Sequence, residues 1–260
     1  MTAESTDTGY TLVELCITAC AEVWRGDGEV LASGIGLVPR LAAGLAKLTF
    51  SPDLLMTDSE AYLVSEPVPV GRRNGYQLKV EGWLPFRLIF DLVWSGKRHA
   101  MTTPTQIDRF GYTNISCIGD WHKPKAQLLG VRGIPGNTIN HPCSFFIANH
   151  TPRTFVDRVD MASGVGYDPA RWAPGVKQEF RELRRVVTNL AVFDFNGPQH
   201  AMRMRSVHRG VTPQQVQEQT GFQLAVADNL SETPGPTSEQ RQLIREVLDP
   251  HNLRASIFKE

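Results

Sequence analysis

The chain has 260 residues, room for one large or two modest domains. Apolar residues make up 41%, charged residues 21%, and there are 22 Gly and 17 Pro. That composition excludes a collagen-like, disordered or low-complexity protein. Lys and Arg number 27, as do Asp and Glu, so no net field draws the chain to nucleic acid. No apolar run exceeds four residues, whereas a membrane span needs ~20. Met1 to Gly9 is polar and acidic, unlike a signal peptide. The four unclustered Cys read as reduced thiols. The expectation is a cytoplasmic, globular α/β protein.

Residues 11–24 read as a helix opened by a capping box, Thr11 with Glu14, and carrying Val13, Ile17, Ala21 and Trp24 on one face. Glu29 to Ser33 is a strand. Gly34-Ile35-Gly36 is a tight turn, followed by a helix with Pro39 in its first turn and Leu41, Leu45 and Leu48 along it. Leu54 to Thr57 is the next strand, which makes a βαβ unit with a parallel pair. Phe86 to Val93 is a helix closed by Gly96, and Ser144 to Asn149 a buried strand. Val186 to Phe195 reads as one strand ending in the hairpin signal Asn196-Gly197, with His200 to Val207 returning antiparallel. Gly164 to Gly175 is a long loop. Helices follow from Thr212 to near Gly221 and from Ser238 to Leu248. The pattern predicts one α/β domain with a mixed sheet.

Ligands of open α/β sheets collect beyond the carboxyl ends of parallel strands. Gly34-Ile35-Gly36 lies there, where free N–H groups and a helix dipole stabilise a negative oxygen. Asp58-Ser59-Glu60 closes the next strand of the same unit, so a carboxylate and an oxyanion-type loop face one crevice. A glycine turn at a strand end can equally be purely geometric. Pro39 stands where a dinucleotide fingerprint needs its third Gly, which argues against a nucleotide site. Gly130 to Asn137 holds three Gly through which backbone can approach a ligand, and Arg132 offers a bidentate fork for a carboxylate or phosphate. Cys16 and Cys20 read as core, Cys117, His122, His141 and Cys143 lack zinc spacing, and no Gly-x-Ser-x-Gly elbow exists.

Several short motifs, in order, resemble one family. They are Ser33-Gly34-Ile35-Gly36-Leu37, Ser51-Pro52-Asp53, Gln106-Ile107-Asp108, Ile118-Gly119-Asp120, Gly130 to Asn137, Thr220-Gly221-Phe222 and Leu243-Ile244-Arg245-Glu246. From about Leu12 to Leu253 the chain resembles the beta subunits of class I CoA-transferases of the glutaconate type. Within that family it is most similar to the CoA-transferase-like hydrolases that open the last ring in bacterial steroid (cholesterol) catabolism. The resemblance implies a single domain of the NagB/RpiA/CoA-transferase type over residues 10–253. It implies a mixed, mainly parallel sheet flanked by helices, with residues 1–9 and 254–260 as flexible termini. It also implies a homologous alpha partner in an alpha2beta2 heterotetramer, an active site between subunits, and CoA entering as part of the substrate rather than as a bound cofactor. No metal, nucleic acid or membrane is implied.

In true transferases of the family a beta-subunit Glu, followed by Asn-Gly or Ser-Gly, carries the acyl group. Here Glu60 is the nearest match, and Ala61-Tyr62 follows it; an ungapped alignment on Ser51-Pro52-Asp53 places Ser59 at the nucleophile. Arg132 stands where glutaconate-type relatives carry Gly. A hydrolase needs an activated water instead of a glutamyl thioester. The expected roles are Glu60 as base or orienting carboxylate, the Gly36 and Gly133 N–H groups as oxyanion donors, and Gly34, Arg132 and Asn137 as substrate contacts. An ordinary transferase subunit using Glu60, and a non-catalytic subunit that completes its partner's pocket, are the alternatives.

Overall fold

The computed structural model describes residues 9–58 and 62–258. Helix α1 (Leu12–Ala21) opens on the predicted capping box: Glu14 N donates to the Thr11 hydroxyl, and Thr11 N to the Glu14 carboxylate at 3.0 Å. A 3-10 turn extends it to Trp24. Strand β1 (Leu31–Gly34) passes through the glycine turn into α2 (Leu37–Leu48). Strands β2 (Met56–Thr57), β3 (Tyr62–Val64) and β4 (Val80–Trp83) form a small antiparallel sheet. Helix α3 (Phe86–Ser95) stops at Gly96, whose φ of 73° is the left-handed cap the sequence predicts.

Strand β5 (Arg98–Thr102) leads to two short antiparallel pairs, β6 (Gln106–Ile107) with β7 (Thr113–Asn114) and β8 (Cys117–Ile118) with β9 (Ala126–Gln127). Then come α4 (Ile134–Asn140), β10 (Pro142–Ile147), β11 (Glu182–Thr188), β12 (Ala191–Asp194) and β13 (Arg203–Val207). The chain closes with α5 (Pro213–Glu218), β14 (Ala225–Glu232) and α6 (Ser238–Gln242), which continues as a π-helix over Leu243–Leu248.

The main sheet has seven strands in the order β1-β5-β10-β11-β12-β13-β14. Only β12 runs against its neighbours, so the sheet is mixed and mainly parallel. Side chains alternate between its faces. Ala32, Met101, Phe146 and Val187 pack under α1, α2 and the C-terminal helix, while Ala100, Phe145, Ile147, Val186 and Phe193 pack against Phe155 and Val216 on the other side. Each large apolar side chain so buried contributes roughly 1.5–3 kcal/mol.

Three expectations need correction. Val186 to Phe195 is two strands: the Thr188 hydroxyl accepts from Leu190 N and Ala191 N at 3.0 and 3.1 Å, which folds the chain back over Asn189-Leu190. The 54–57 segment meets β1 in parallel only through Leu55 and Leu31, and its end turns away to pair antiparallel with β3. The packed chain continues past residue 253, because Arg254 is buried in ion pairs with Glu14 and Asp249. No helix among the described residues is long and apolar enough to cross a membrane.

Candidate active site

The Gly34–Gly36 turn is shaped by a close backbone approach at Gly34 and a positive φ at Gly36. A Cβ on Gly34 would stand 2.3 Å from the Pro39 carbonyl oxygen, so β1 ends hard against the first turn of α2. Gly36 has φ 116°, where an L side chain is strained, and Ile35 N donates to Met101 O at 2.8 Å to tie the turn to β5. As N-cap, Gly36 offers no side chain to the N–H groups of Leu37 and Val38, and Pro39 has none to satisfy. The start of α2 therefore presents uncapped donors and the positive end of its dipole.

Two recesses flank this turn. One, of about 430 Å³, lies beyond the carboxyl ends of β1, β5 and β10 and is lined by Gly36 to Pro39, Thr103 to Thr105 and Phe146 to Asn149. None of its described lining residues is an acid, His, Cys or Lys. The other, of about 410 Å³, adds Arg40 and Arg73 beside Gly34 and Gly36. Asp58 is buried next to it and paired: Arg73 Nη1 donates to its Oδ2 at 3.4 Å and Arg73 Nη2 to its carbonyl at 3.2 Å. Burial, with Arg73 close by, holds the Arg40 pKa below its usual value. Glu60 lies outside the described residues.

The second glycine loop takes a different place. Gly133 caps α4, and Arg132 is exposed at a left-handed φ of 52°. Neither lines the recesses beside Gly36. Asn137, expected as a substrate contact, is buried, and its Oδ1 accepts from Arg98 Nη1 at 2.9 Å and lies 3.1 Å from His141 Nε2. Arg98 Nε donates to Ser33 Oγ at 2.8 Å, so this one guanidinium joins β1, just before Gly34, to α4. Its bonded partners are neutral oxygens, and burial lowers its pKa. The structure thus couples the two glycine loops through Arg98 without placing them in one recess.

Two constellations imitate nucleophile sites. Ser144 Oγ, His99 and Asp27 stand in series, 3.0 Å from Nε2 and 2.7 Å from Nδ1, but Ser144 and His99 are 0% exposed. Burial keeps His99 neutral against the pull of Asp27, while His99 and Arg184 hold Asp27 ionised despite its own burial. Cys143, His141 and Asn137 form the second set; burial raises the Cys143 thiol to about 12, so it is no thiolate. Both are internal polar networks.

The cholesterol ring-cleaving hydrolase IpdB subunit of Rhodococcus jostii is 47% identical over 249 residues, covering 96% of each chain. This chain belongs to the IpdB family. The crystal structure of Rhodococcus jostii IpdAB superposes with a TM-score of 0.90 at 46% identity, over 97% of this chain and 100% of that one. Glutaconate coenzyme A-transferase from Acidaminococcus fermentans follows at 0.81 and 25%, over 97% and 99%. No family model matches.

Three of the motifs that carry the family resemblance are structural here. Asp108 accepts from Phe110 N, Tyr112 N and Arg171; Gln106 holds Asn114 and Asp160; Thr220 Oγ1 lies 2.9 Å from His150 Nε2; Arg245 binds Glu14. A Cβ on Gly221 would sit 2.6 Å from the Phe155 carbonyl. Sequence reasoning missed Thr103-Pro104-Thr105, Arg40 and Arg73 as lining residues. For Thr103-Pro104-Thr105, directly after β5, and Arg40, in the first turn of α2, the recoverable signal was position; Arg73, in the long β3–β4 connection, carried no such signal.

Proposed function

We propose that this chain is the beta subunit of a heteromeric hydrolase that opens the last ring of a steroid-derived cyclic β-keto acyl-CoA. The observation that carries this reading is the 47% identity to an IpdB subunit along nearly the whole of both chains. Water adds to the ring ketone, and the C–C bond between that carbon and the α-carbon of the thioester breaks. The bonding pair passes into the thioester enolate, which takes up a proton, while the former ketone leaves as a carboxylic acid. CoA stays on the product throughout.

This chain's part is electrostatic. The uncapped N–H groups at the start of α2, with Gly36 beside them, suit a developing oxyanion or enolate. The apolar recess bears no base among its described residues, which supports a base from Glu60 or from the homologous alpha subunit. We place the enzyme in the cytoplasm as an alpha2beta2 assembly with CoA only in its substrate. A transferase reading rests on the likeness to glutaconate CoA-transferase.

The test uses the assembled enzyme and a cyclic β-keto acyl-CoA in H₂¹⁸O. The expected product is a ring-opened CoA thioester with ¹⁸O in its new carboxylate. A stable borohydride adduct on Glu60, together with CoA exchange between free acids, overturns the hydrolase in favour of the transferase.

A further inference from the structure

On the α1 face of the sheet, a recess of about 610 Å³ lies between α1, strands β11 to β13 and the segment from Thr233 to Gln240. It shares no lining residue with the recesses at the glycine turn. Three guanidinium groups line it, from Arg25, Arg185 and Arg205, against one acid, Glu22. Glu22 is already held by Arg25 through two bonds of 2.7 Å. Asp194, on β12, is held by Arg203 at 3.0 and 2.9 Å and pairs only loosely with Arg205, at 3.9 Å. Arg185 donates to the Arg184 carbonyl at 2.8 Å and makes no ion pair within 4.0 Å among the described residues. Burial first, then Arg205, lowers its pKa against the opposing pull of Asp194. With Arg25 paired to the one lining acid, Arg185, which is half-buried, and Arg205, which is exposed, remain as a local excess of positive charge in a chain of zero net charge, a setting that favours an anion.

We propose that this recess binds a small phosphate-bearing molecule, whose oxygens Arg185 and Arg205 clamp in bidentate fashion with Arg25 at the rim. Guanidinium forks match phosphate geometry, and the volume falls within the ~300–1,000 Å³ of small-molecule sites. Thr237 and Gln240 also line it; their side-chain oxygens cap α6, which leaves the Thr237 O–H and the Gln240 amide N–H groups to donate. The phosphate can come from a nucleotide or from the phosphoadenosine end of a CoA ester. This site stands independently of the proposed reaction.

The test is calorimetric titration of the assembled heteromer at fixed ionic strength with pyrophosphate, ADP and adenosine 3′,5′-bisphosphate. Saturable binding is expected, weakened at least tenfold in Arg185→Gln/Arg205→Gln, with turnover in the absence of added anion within twofold of wild type. Tighter binding of ADP assigns a nucleotide; tighter binding of the 3′,5′-bisphosphate assigns a CoA ester. Hydrogen exchange on the wild type gives a second readout: pyrophosphate should protect residues 205–206 and 233–237. Arg205→Gln alone serves if the double variant fails to assemble. Absence of saturable binding by all three probes overturns the site. So does unchanged affinity in the variants, or dissociation of the heteromer by Arg205→Gln without loss of an anion response, which would make the recess a subunit contact.

Discussion

The two ends of the parallel strands carry opposite kinds of chemistry. Toward their amino ends, Asp27, His99, Ser144 and Arg184 form a dense charged and nucleophilic network in which His99 and Ser144 are fully buried and Arg184, at its edge, is partly exposed. At their carboxyl ends, an open recess offers backbone donors and apolar walls but no base among the described residues. A search for reactive side chains alone would choose the amino ends. Access and uncapped backbone are the reasons we propose the carboxyl ends instead, with the base supplied by Glu60 or by the alpha subunit.

The largest effect should come from breaking the buried network. His99→Ala strips Asp27 and Arg184 of a buried partner and empties a ring-sized space. We expect a loss of ~3–5 kcal/mol, read by thermal or urea unfolding of the assembled enzyme. Turnover per folded enzyme should stay within twofold. Ser144→Ala should cost only ~1 kcal/mol and leave kcat unchanged. A kcat loss above a hundredfold in Ser144→Ala would revive a serine nucleophile and erase the contrast between the two ends.

Gly36→Ala probes the open end. A Cβ there meets Thr103 Cγ2 at 3.4 Å, ordinary contact, so the damage comes from holding alanine at φ 116°. That strain is worth ~1–3 kcal/mol, and relieving it turns the donor loop. Loss of an oxyanion donor costs about 10²–10³ in kcat, so turnover should fall further than stability. Equal losses, compared as free energies from kcat and from unfolding, would make Gly36 purely structural.

Acid should act on the sealed regions rather than the open one. Burial lowers His150 to about 3 and His141 to about 4, so both stay neutral when folded. The unfolded chain binds those protons near pH 6.5, so it holds more protons than the folded chain below that pH, and stability falls as pH drops from about 6.5 to 4. The slope is about 1.4 kcal/mol per pH unit for each fully differential group. His150→Gln should flatten the unfolding curve over that window. An unchanged slope would mean that His150 is not buried neutral between Phe155 and its two threonine partners.

What the sequence revealed follows the same division. The glycine turn was legible because backbone geometry there favours glycine, and the capping box of α1 because its donors and acceptors are local. Strand β5 went unread because Arg98 and His99 look like solvent-facing polar residues, yet distant partners bury them: Ser33 and Asn137 for one, Asp27 and Ser144 for the other. Strand β14 is a largely exposed edge strand with Asp228 and Asn229, so it lacks the apolar alternation of an interior strand. The β11–β12 turn hid between two apolar runs, Val186-Val187 and Leu190 to Phe193, with Thr188-Asn189 as the only local cue. Pairings between distant residues, invisible to any window along the chain, account for the missed β5, whereas β14 and the β11–β12 turn were missed because their local patterns are weak.

The smallest expected effect concerns Arg132 and whether the open end uses charge of its own. Arg132 is exposed and held at φ 52°, a conformation that costs an L residue ~1–2 kcal/mol and glycine almost nothing. Glycine also gives the unfolded chain more freedom, which offsets ~0.4–1 kcal/mol of that relief. Arg132→Gly should therefore leave stability unchanged or raise it by up to ~1 kcal/mol, read as a small rise in unfolding midpoint. If the guanidinium grips a phosphate or carboxylate of the substrate, the same change raises KM at least tenfold while kcat holds, because a contact made equally in ground and transition states affects binding alone. If KM does not move, Arg132 is no substrate contact, and the positive character of the open end comes from α2's dipole, Arg40 and Arg73.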